Sequence, residues 1–283
     1  MNYDIRNNPR LTIGIPVYNG EKFLDKKLKS VLSQTFTDFQ IIISDNASAD
    51  STEKICKEFE SRDTRIKYVR QKNNIGSREN FFFVLQEAKT EYFVWTAVDD
   101  LISERFLEEC IKKLDSNSNI IGCITQNDYY GVQTKNSRTK KVELHSLSGT
   151  FDKKARFFLK KNLSGMVYSV YRTEILKKCF VTNPISSWDS GTILNLIKNG
   201  DIFVINKILL HFFLEGISST GILNRIKSEP EMQKLKFPKS LFVYWCMENF
   251  GKTFILKNLD IFLWHNFAVT ISIISEYFSS RIK

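Results

Sequence analysis

Residues 13–52, IGIPVYNGEKFLDKKLKSVLSQTFTDFQIIISDNASADST, decide the fold class. The run from Leu11 to Val17 is apolar and rich in β-branched residues, and it ends at Tyr18-Asn19-Gly20, a strand entering a turn. From Glu21 onward Phe23, Leu24, Leu28, Val31 and Leu32 recur at helical spacing, which predicts an amphipathic helix ending near Gln34-Thr35. Phe39 to Ser44 is a second apolar strand, and it opens into the polar loop Asp45-Asn46-Ala47-Ser48-Ala49-Asp50.

The same alternation continues outward. Ile55 and Phe59 mark a helix over 51–62, Ile66 to Val69 a third strand, Asn80 to Ala88 another helix, and Tyr92 to Val98 a fourth strand running into Asp99-Asp100. Alternating strands and helices predict an α/β fold with a mostly parallel sheet flanked by helices. In such sheets ligands bind where loops leave the carboxyl ends of the strands. Three polar loops occupy such ends: 18–21, 45–50 and 99–100. In the second half, short strands are expected at 120–125, 165–171 and 203–205, with a helix at 191–198. Beyond Leu223 the chain becomes helix-compatible and aromatic, with Phe242, Trp245, Phe254, Phe262, Trp264 and Phe267 among its rings. The expected organisation is one α/β domain over 1–222, divided at about 115 into a nucleotide half and an acceptor half, followed by a helical extension over 223–283.

Composition narrows the function classes. With 42% hydrophobic residues in 283, the chain can bury a sizeable core, and 5 Pro and 12 Gly form no linker-like stretch. The five cysteines are scattered without a C-x-x-C pair or zinc-ligand spacing, as expected of free thiols in a reducing compartment. Residues 1–10 are polar and lack the apolar region of a secretion signal, so the expected location is cytoplasmic. A net charge of +10 favours acidic partners. The basic residues stand in short clusters and no nucleic-acid motif appears, so nucleic acid is not the expected partner.

A pair of carboxylates at the end of an apolar strand calls for a cation at the sheet rim. Hard oxygen ligands such as Asp99 and Asp100 suit Mg²⁺ or Mn²⁺ held jointly with substrate phosphates, although Asp here also suits a helix N-cap before Ile102. Asp45 is placed to accept from a base or ribose donor, and Pro16 and Tyr18 to form a wall for a flat ring. Together the loops describe a nucleotide pocket with a metal site at its far side.

These segments resemble the family 2 glycosyltransferases of the GT-A fold. Besides the opening stretch, NNIGSRENF (73–81) is similar to the family's N-x-G segment and YFVWTAVDD (92–100) to its metal-binding strand end. The resemblance implies that Pro16, Tyr18, Asn19 and Glu21 line the donor base and ribose. It implies that Asp45 contacts the base, that Gly76 and Arg78 lie nearby, and that Asp99 and Asp100 meet a divalent metal and diphosphate, with Asp99 as the metal ligand. Ala97 stands where the family's D-x-D has its first acid. SGMVYSVYR (164–172) and SSWDSGTILNLIKNGDIFVI (186–205) resemble more faintly the acceptor region, which makes Asp189 the implied catalytic base. A helix N-cap is the other role open to Asp189.

The family's phosphate-contacting arginine and histidine appear here as Phe and Glu in LLHFFLEGISS (209–219), leaving His211, Arg78 or Arg225 as candidates for that charge. The resemblance thus implies inverting transfer from a nucleotide sugar, UDP-linked above all, to a glycan or lipid-linked acceptor. The alternative is a catalytically silent nucleotide-sugar-binding module. A nucleotidyltransferase is disfavoured, because no Gly-rich basic loop follows the first strand to grip a triphosphate. The aromatic C-terminal segment has three candidate roles: core, subunit contact, or an amphipathic surface on the inner face of the plasma membrane.

Overall fold

The computed structural model describes residues 9–131, 143–185, 187–213 and 240–279. The expected domain boundary at 222–223 and Arg225 lie outside them. The first half alternates as its periodicity predicts: β1 (Leu11–Val17), α1 (Glu21–Leu32), β2 (Phe39–Asp45), α2 (Thr52–Arg62), β3 (Ile66–Arg70), α3 (Ser77–Glu87) and β4 (Tyr92–Trp95). There follow β5 (Leu101–Ile102), α4 (Phe106–Asp115), β6 (Ile120–Tyr130), α5 (Phe151–Lys161), a 3₁₀ turn (Ser164–Tyr168), β7 (Val170–Arg172), α6 (Thr173–Cys179), α7 (Trp188–Asn199) and β8 (Asp201–Phe213). Three helices close the described chain: α8 (Ser240–Phe250), α9 (Lys252–Lys257) and α10 (Leu259–Ser279).

Among the described residues the strands form one sheet in the order β3-β2-β1-β4-β7-β6-β8-β5. The β3-β2-β1-β4 half is parallel throughout. The other half is mixed: β7 runs antiparallel to both β4 and β6, β6 and β8 are parallel, and β5 is an antiparallel edge on β8. Every residue of β1 is buried, as a strand covered on both faces requires. The core is continuous from Leu11 through Trp95 and Ile124 to Leu196.

The structure departs from the sequence expectation in three places. Residues 164–168 form a 3₁₀ turn rather than a strand. The Met166 carbonyl there accepts from the Ser169 hydroxyl at 2.8 Å and the Tyr171 hydroxyl at 2.6 Å, local bonds that compete with strand pairing. The fourth strand ends at Trp95, and the chain turns with the Asp100 amide donating to the Ala97 carbonyl at 3.3 Å. The strand expected at 203–205 runs from 201 to 213, because β6 pairs with it along most of its length.

The C-terminal aromatics divide by face. Phe242, Trp245, Phe254 and Phe262 are buried, Phe250 and Phe254 pack on Phe151 of α5, and Arg156 pairs with Asp260 at 2.8 Å. Leu263, Trp264, Phe267 and Ile271 remain exposed on α10. No helix among the described residues is long and apolar enough to cross a membrane. All five cysteines are free and buried.

Candidate active site

The loops after β1 and β2 are laced together by their own polar residues. The Asn19 amide donates to Ser48 Oγ at 2.8 Å, and the Ala49 amide returns a bond to Asn19 Oδ1 at 2.9 Å. The Glu21 amide donates to Asp50 at 3.0 Å, and Glu21 Oε2 accepts from the Ser51 amide at 2.9 Å. Asn19 and Ala47 both adopt positive φ, which an asparagine tolerates readily and an alanine at some cost. Asn19 and Glu21 thus build the rim, while Pro16 is buried in β1 and Tyr18 presents its ring to solvent at 45% exposure.

Asp45 closes β2 with a carboxylate wholly removed from solvent. Tyr68 Oη donates to Oδ2 at 2.8 Å, Arg70 Nη1 to the same oxygen at 2.7 Å, and the Ser48 amide to Oδ1 at 2.8 Å. A carboxylate has about four acceptor sites, so three are taken by the protein itself. Burial and the Asp45 contact raise the Tyr68 phenol well above its ordinary value. Neither Tyr68 nor Arg70 is conspicuous in the sequence; the signal was their position on the strand paired beside Asp45.

Gly76 stands at φ 91° before α3, a backbone region open to glycine, and its carbonyl accepts from Asn46 Nδ2 at 3.3 Å. Asn46 also accepts from the Ile75 amide at 2.8 Å and donates to Asn74 at 3.0 Å, tying the 73–81 segment to the second loop. Arg78 is paired with Glu79, yet its Nη1 is buried with no hydrogen-bond partner, a donor left for something else.

Asp99 and Asp100 are each 8% exposed, and a short strand rather than a helix follows them, which removes the N-cap reading. Asp100 Oδ1 accepts from the Phe213 amide at 3.0 Å, and Tyr130 Oη donates to the Asp99 carbonyl at 2.5 Å. Burial, then the Asp99 charge, push the Asp100 carboxyl up to about 7, against the pull of Lys27. Burial and the same two acids push the Tyr130 phenol up to about 12. Lys27, fully buried on α1, donates to Thr96 Oγ1, and burial draws its ammonium down to about 8 despite Asp100 and Asp99.

Asp189 is the second residue of α7, following the cap position at Ser187, and its Oδ1 accepts from the adjacent Ser190 amide at 2.7 Å. Trp188 anchors this helix start between Phe81 and Phe180, with ring centroids 5.2 Å from each. Burial, then the charges of Asp100, Asp99 and Asp189, raise the Tyr168 phenol. One residue therefore feels all three acids. Tyr168 and Asp100 also line a cavity of about 10 Å³ beside Thr96 and Ala97, space for a single water-sized group. His211 does not stand free for phosphate: Nδ1 lies 2.5 Å from Asp128 and Nε2 2.8 Å from Ser103 Oγ.

No three His, Cys, Asp or Glu side chains converge as a metal cage among the described residues. Mg²⁺ or Mn²⁺ brought in with a diphosphate needs only one or two carboxylates, the phosphates completing its oxygen shell. Two adjacent buried carboxylates at the end of a strand fit that demand.

The chain is 26% identical over 199 residues to the GalNAc(5)-diNAcBac-PP-undecaprenol beta-1,3-glucosyltransferase of Campylobacter jejuni, covering 69% of this chain and 62% of that one. It is 33% identical over 106 residues to the glycosyltransferase GlyA of Streptococcus pneumoniae, over 37% of this chain and 15% of the relative, so it spans only part of both proteins' length. Among solved structures it superposes on S. aureus TarS 1-349 in complex with UDP with a TM-score of 0.58 at 20% identity, covering 72% of this chain and 60% of that one. The mannosyltransferase PcManGT of Pyrobaculum calidifontis, in complex with GDP-Man and Mn²⁺, gives 0.53 at 17% identity over 73% and 57%. These likenesses establish the fold. Residues 12–180, more than half of the chain, match the Glycosyl transferase family 2 profile, and the protein belongs to that family.

Proposed function

We propose that this chain is an inverting glycosyltransferase that moves a hexosyl or N-acetylhexosaminyl group from a UDP-sugar to a glycan or lipid-linked acceptor in surface glycan synthesis. The observation that carries this reading is the buried acid pair Asp99–Asp100 at the end of the parallel half of the sheet, held by the Phe213 amide and the Tyr130 hydroxyl. It supports a diphosphate-end acid site, and the charge of Asp189 reaches Tyr168, which lines the same cavity as Asp100. The UDP named with the TarS structure and the undecaprenol-linked acceptor named for the Campylobacter relative favour the same donor and acceptor classes.

In this reading Tyr18 walls the base, the 19–21 loop borders the ribose, and Gly76 and Arg78 flank the same pocket, with the unpartnered Arg78 Nη1 available to an anionic group. Asp45 acts through Arg70 and Tyr68, which its carboxylate holds in place, and touches a base when one of them turns aside. Asp99, with Asp100, would hold Mg²⁺ or Mn²⁺, which would supply charge neutralisation at the diphosphate. Asp189 takes the acceptor hydroxyl proton as that oxygen bonds to the anomeric carbon from the face opposite the nucleotide. The carbon–oxygen bond to the diphosphate breaks, and the nucleoside diphosphate carries away the electron pair.

The exposed α10 face, with Leu263, Trp264, Phe267 and Ile271, is suited to lie on the cytoplasmic face of a membrane beside a lipid-linked acceptor. Residues 1–222 form the catalytic GT-A domain in this reading and 223–283 the extension carrying that face. Titration calorimetry of UDP, dTDP and GDP with and without Mn²⁺ tests the donor site. UDP binding lost in Asp99→Ala is expected; no binding of any nucleotide overturns the reading. The Ala97 substitution and the displaced Arg/His pair favour one second reading, a silent module, which UDP binding without sugar transfer to any acceptor would establish.

A further inference from the structure

Lys27 breaks the pattern of its own helix. Leu24, Leu28 and Val31 define the buried face of α1, and Lys27 joins them there at 0% exposure. Its lysine neighbours behave otherwise: Lys29 pairs with Asp25 in solvent, and Lys22 and Lys26 lie over the rings of Phe23 and Tyr130. A buried ammonium is costly without compensation. Among the described residues the other buried lysine, Lys154, is compensated by the Gly200 carbonyl at 2.7 Å and Asp201 at 3.0 Å, a closed structural pin. Lys27 has a hydrogen bond to the Thr96 hydroxyl, and its remaining compensation comes from the charges of Asp100 and Asp99.

Thr96 begins the turn Thr96-Ala97-Val98-Asp99-Asp100, so the ammonium is fixed to the segment that presents the acid pair. Lys27 thus brings a positive charge to the segment that carries the two acids. Being sealed from solvent, it reaches neither the donor nor the acceptor and acts only through the acids.

We infer that Lys27 is a built-in countercharge for the Asp99–Asp100 pair, which supplies from beneath the loop part of the neutralisation that a divalent ion supplies from the cleft. Nucleotide diphosphate binding then leans less on metal than the bare acid pair would require. Lys27 is a positioning residue, and the inference rests on the donor-site reading above.

The test measures the UDP dissociation constant at pH 7, where the Lys27 ammonium is mostly charged, in Mn²⁺ and in EDTA on the full chain. The ratio of the two constants is the readout, with no turnover involved. Lys27→Met keeps the length and apolar stem of the side chain while removing the charge, and should widen the ratio by about tenfold or more. Lys27→Arg should keep it near the wild-type value. Thr96→Val, which frees the ammonium from the loop, should widen it to a lesser degree and decides the matter where Lys27→Met does not fold. A lysine with a merely structural role would lower the melting temperature and leave the ratio unmoved, and an unmoved ratio in both Lys27→Met and Thr96→Val overturns the inference while leaving the donor site intact. Failure of the wild type to bind UDP in either condition overturns the donor site, and this inference with it.

Discussion

The Phe213 amide donates to Asp100 Oδ1 at 3.0 Å across 113 residues of chain. This bond joins the end of the longest strand to the turn carrying the acid pair, so the position of Asp100 depends on β8 being paired along its full length. Tyr130, which pairs with Phe213 in register, bonds the Asp99 carbonyl in the same way. The acid pair is held by the mixed half of the sheet as much as by the strand that leads to it.

Asp100 makes stability pH-dependent in a defined window. Its folded value of about 7 lies above its ordinary 3.8, so the folded chain holds more protons than the unfolded one between those values, and its contribution to stability falls as pH rises through them. Lys27, lowered from 10.5 to about 8, acts oppositely, its contribution rising with pH between 8 and 10.5. Asp100→Asn should therefore gain on the wild type from pH 5 to pH 7. Urea midpoints across that range check this, and parallel curves would refute it.

Asp45 and Arg70 are a buried acid and a partly exposed base. Arg70→Met leaves the buried carboxylate without its charged donor and should lower the urea midpoint. UDP affinity should fall as well, since the second loop loses its hold on β3. Unchanged stability would mean that solvent or Tyr68 replaces the lost bond.

Asp189→Asn separates binding from chemistry. UDP affinity should stay within about twofold, while sugar transfer falls by about a hundredfold or more. An undiminished rate in a transfer assay would assign the base elsewhere.

Gly122 in β6 lies against Tyr171, and a Cβ there would sit 2.4 Å from its ring. The ring is held by the bond from its hydroxyl to Met166, so it has little freedom to give way. Gly122→Ala should destabilise the fold by about 1–3 kcal/mol, read as a lower melting temperature.

Trp264 and Phe267 are exposed, so their joint replacement by serine should change stability by no more than about 1 kcal/mol. Co-sedimentation with anionic lipid vesicles should weaken markedly. If the double variant sediments as the wild type does, the α10 face is not what meets the lipid.

Local periodicity determined the first half of this protein. Strand alternation and helical spacing act over a few residues, so β1 to β4 and the three loops at their ends were legible directly, and Asp99-Asp100 stood out because charges seldom end a buried strand. The 165–171 segment is strand only at its end: its apolar pattern suits a strand throughout, but side-chain bonds to Met166 favour a tight turn over 164–168 before β7 begins at Val170. Only the tertiary structure decided that Asp45 would be enclosed by Tyr68 and Arg70 of the neighbouring strand, that Lys27 would point inward against its helix's chemistry, and that Asp189 would share a neighbour with Asp99. The enclosure of Asp45 depends on β3 pairing beside β2, and the mixed half of the sheet on β7 entering between β4 and β6, a pairing of residues about eighty positions apart on the β4 side. Pairing over such distances is settled by the packing of the whole sheet, which no window of sequence contains.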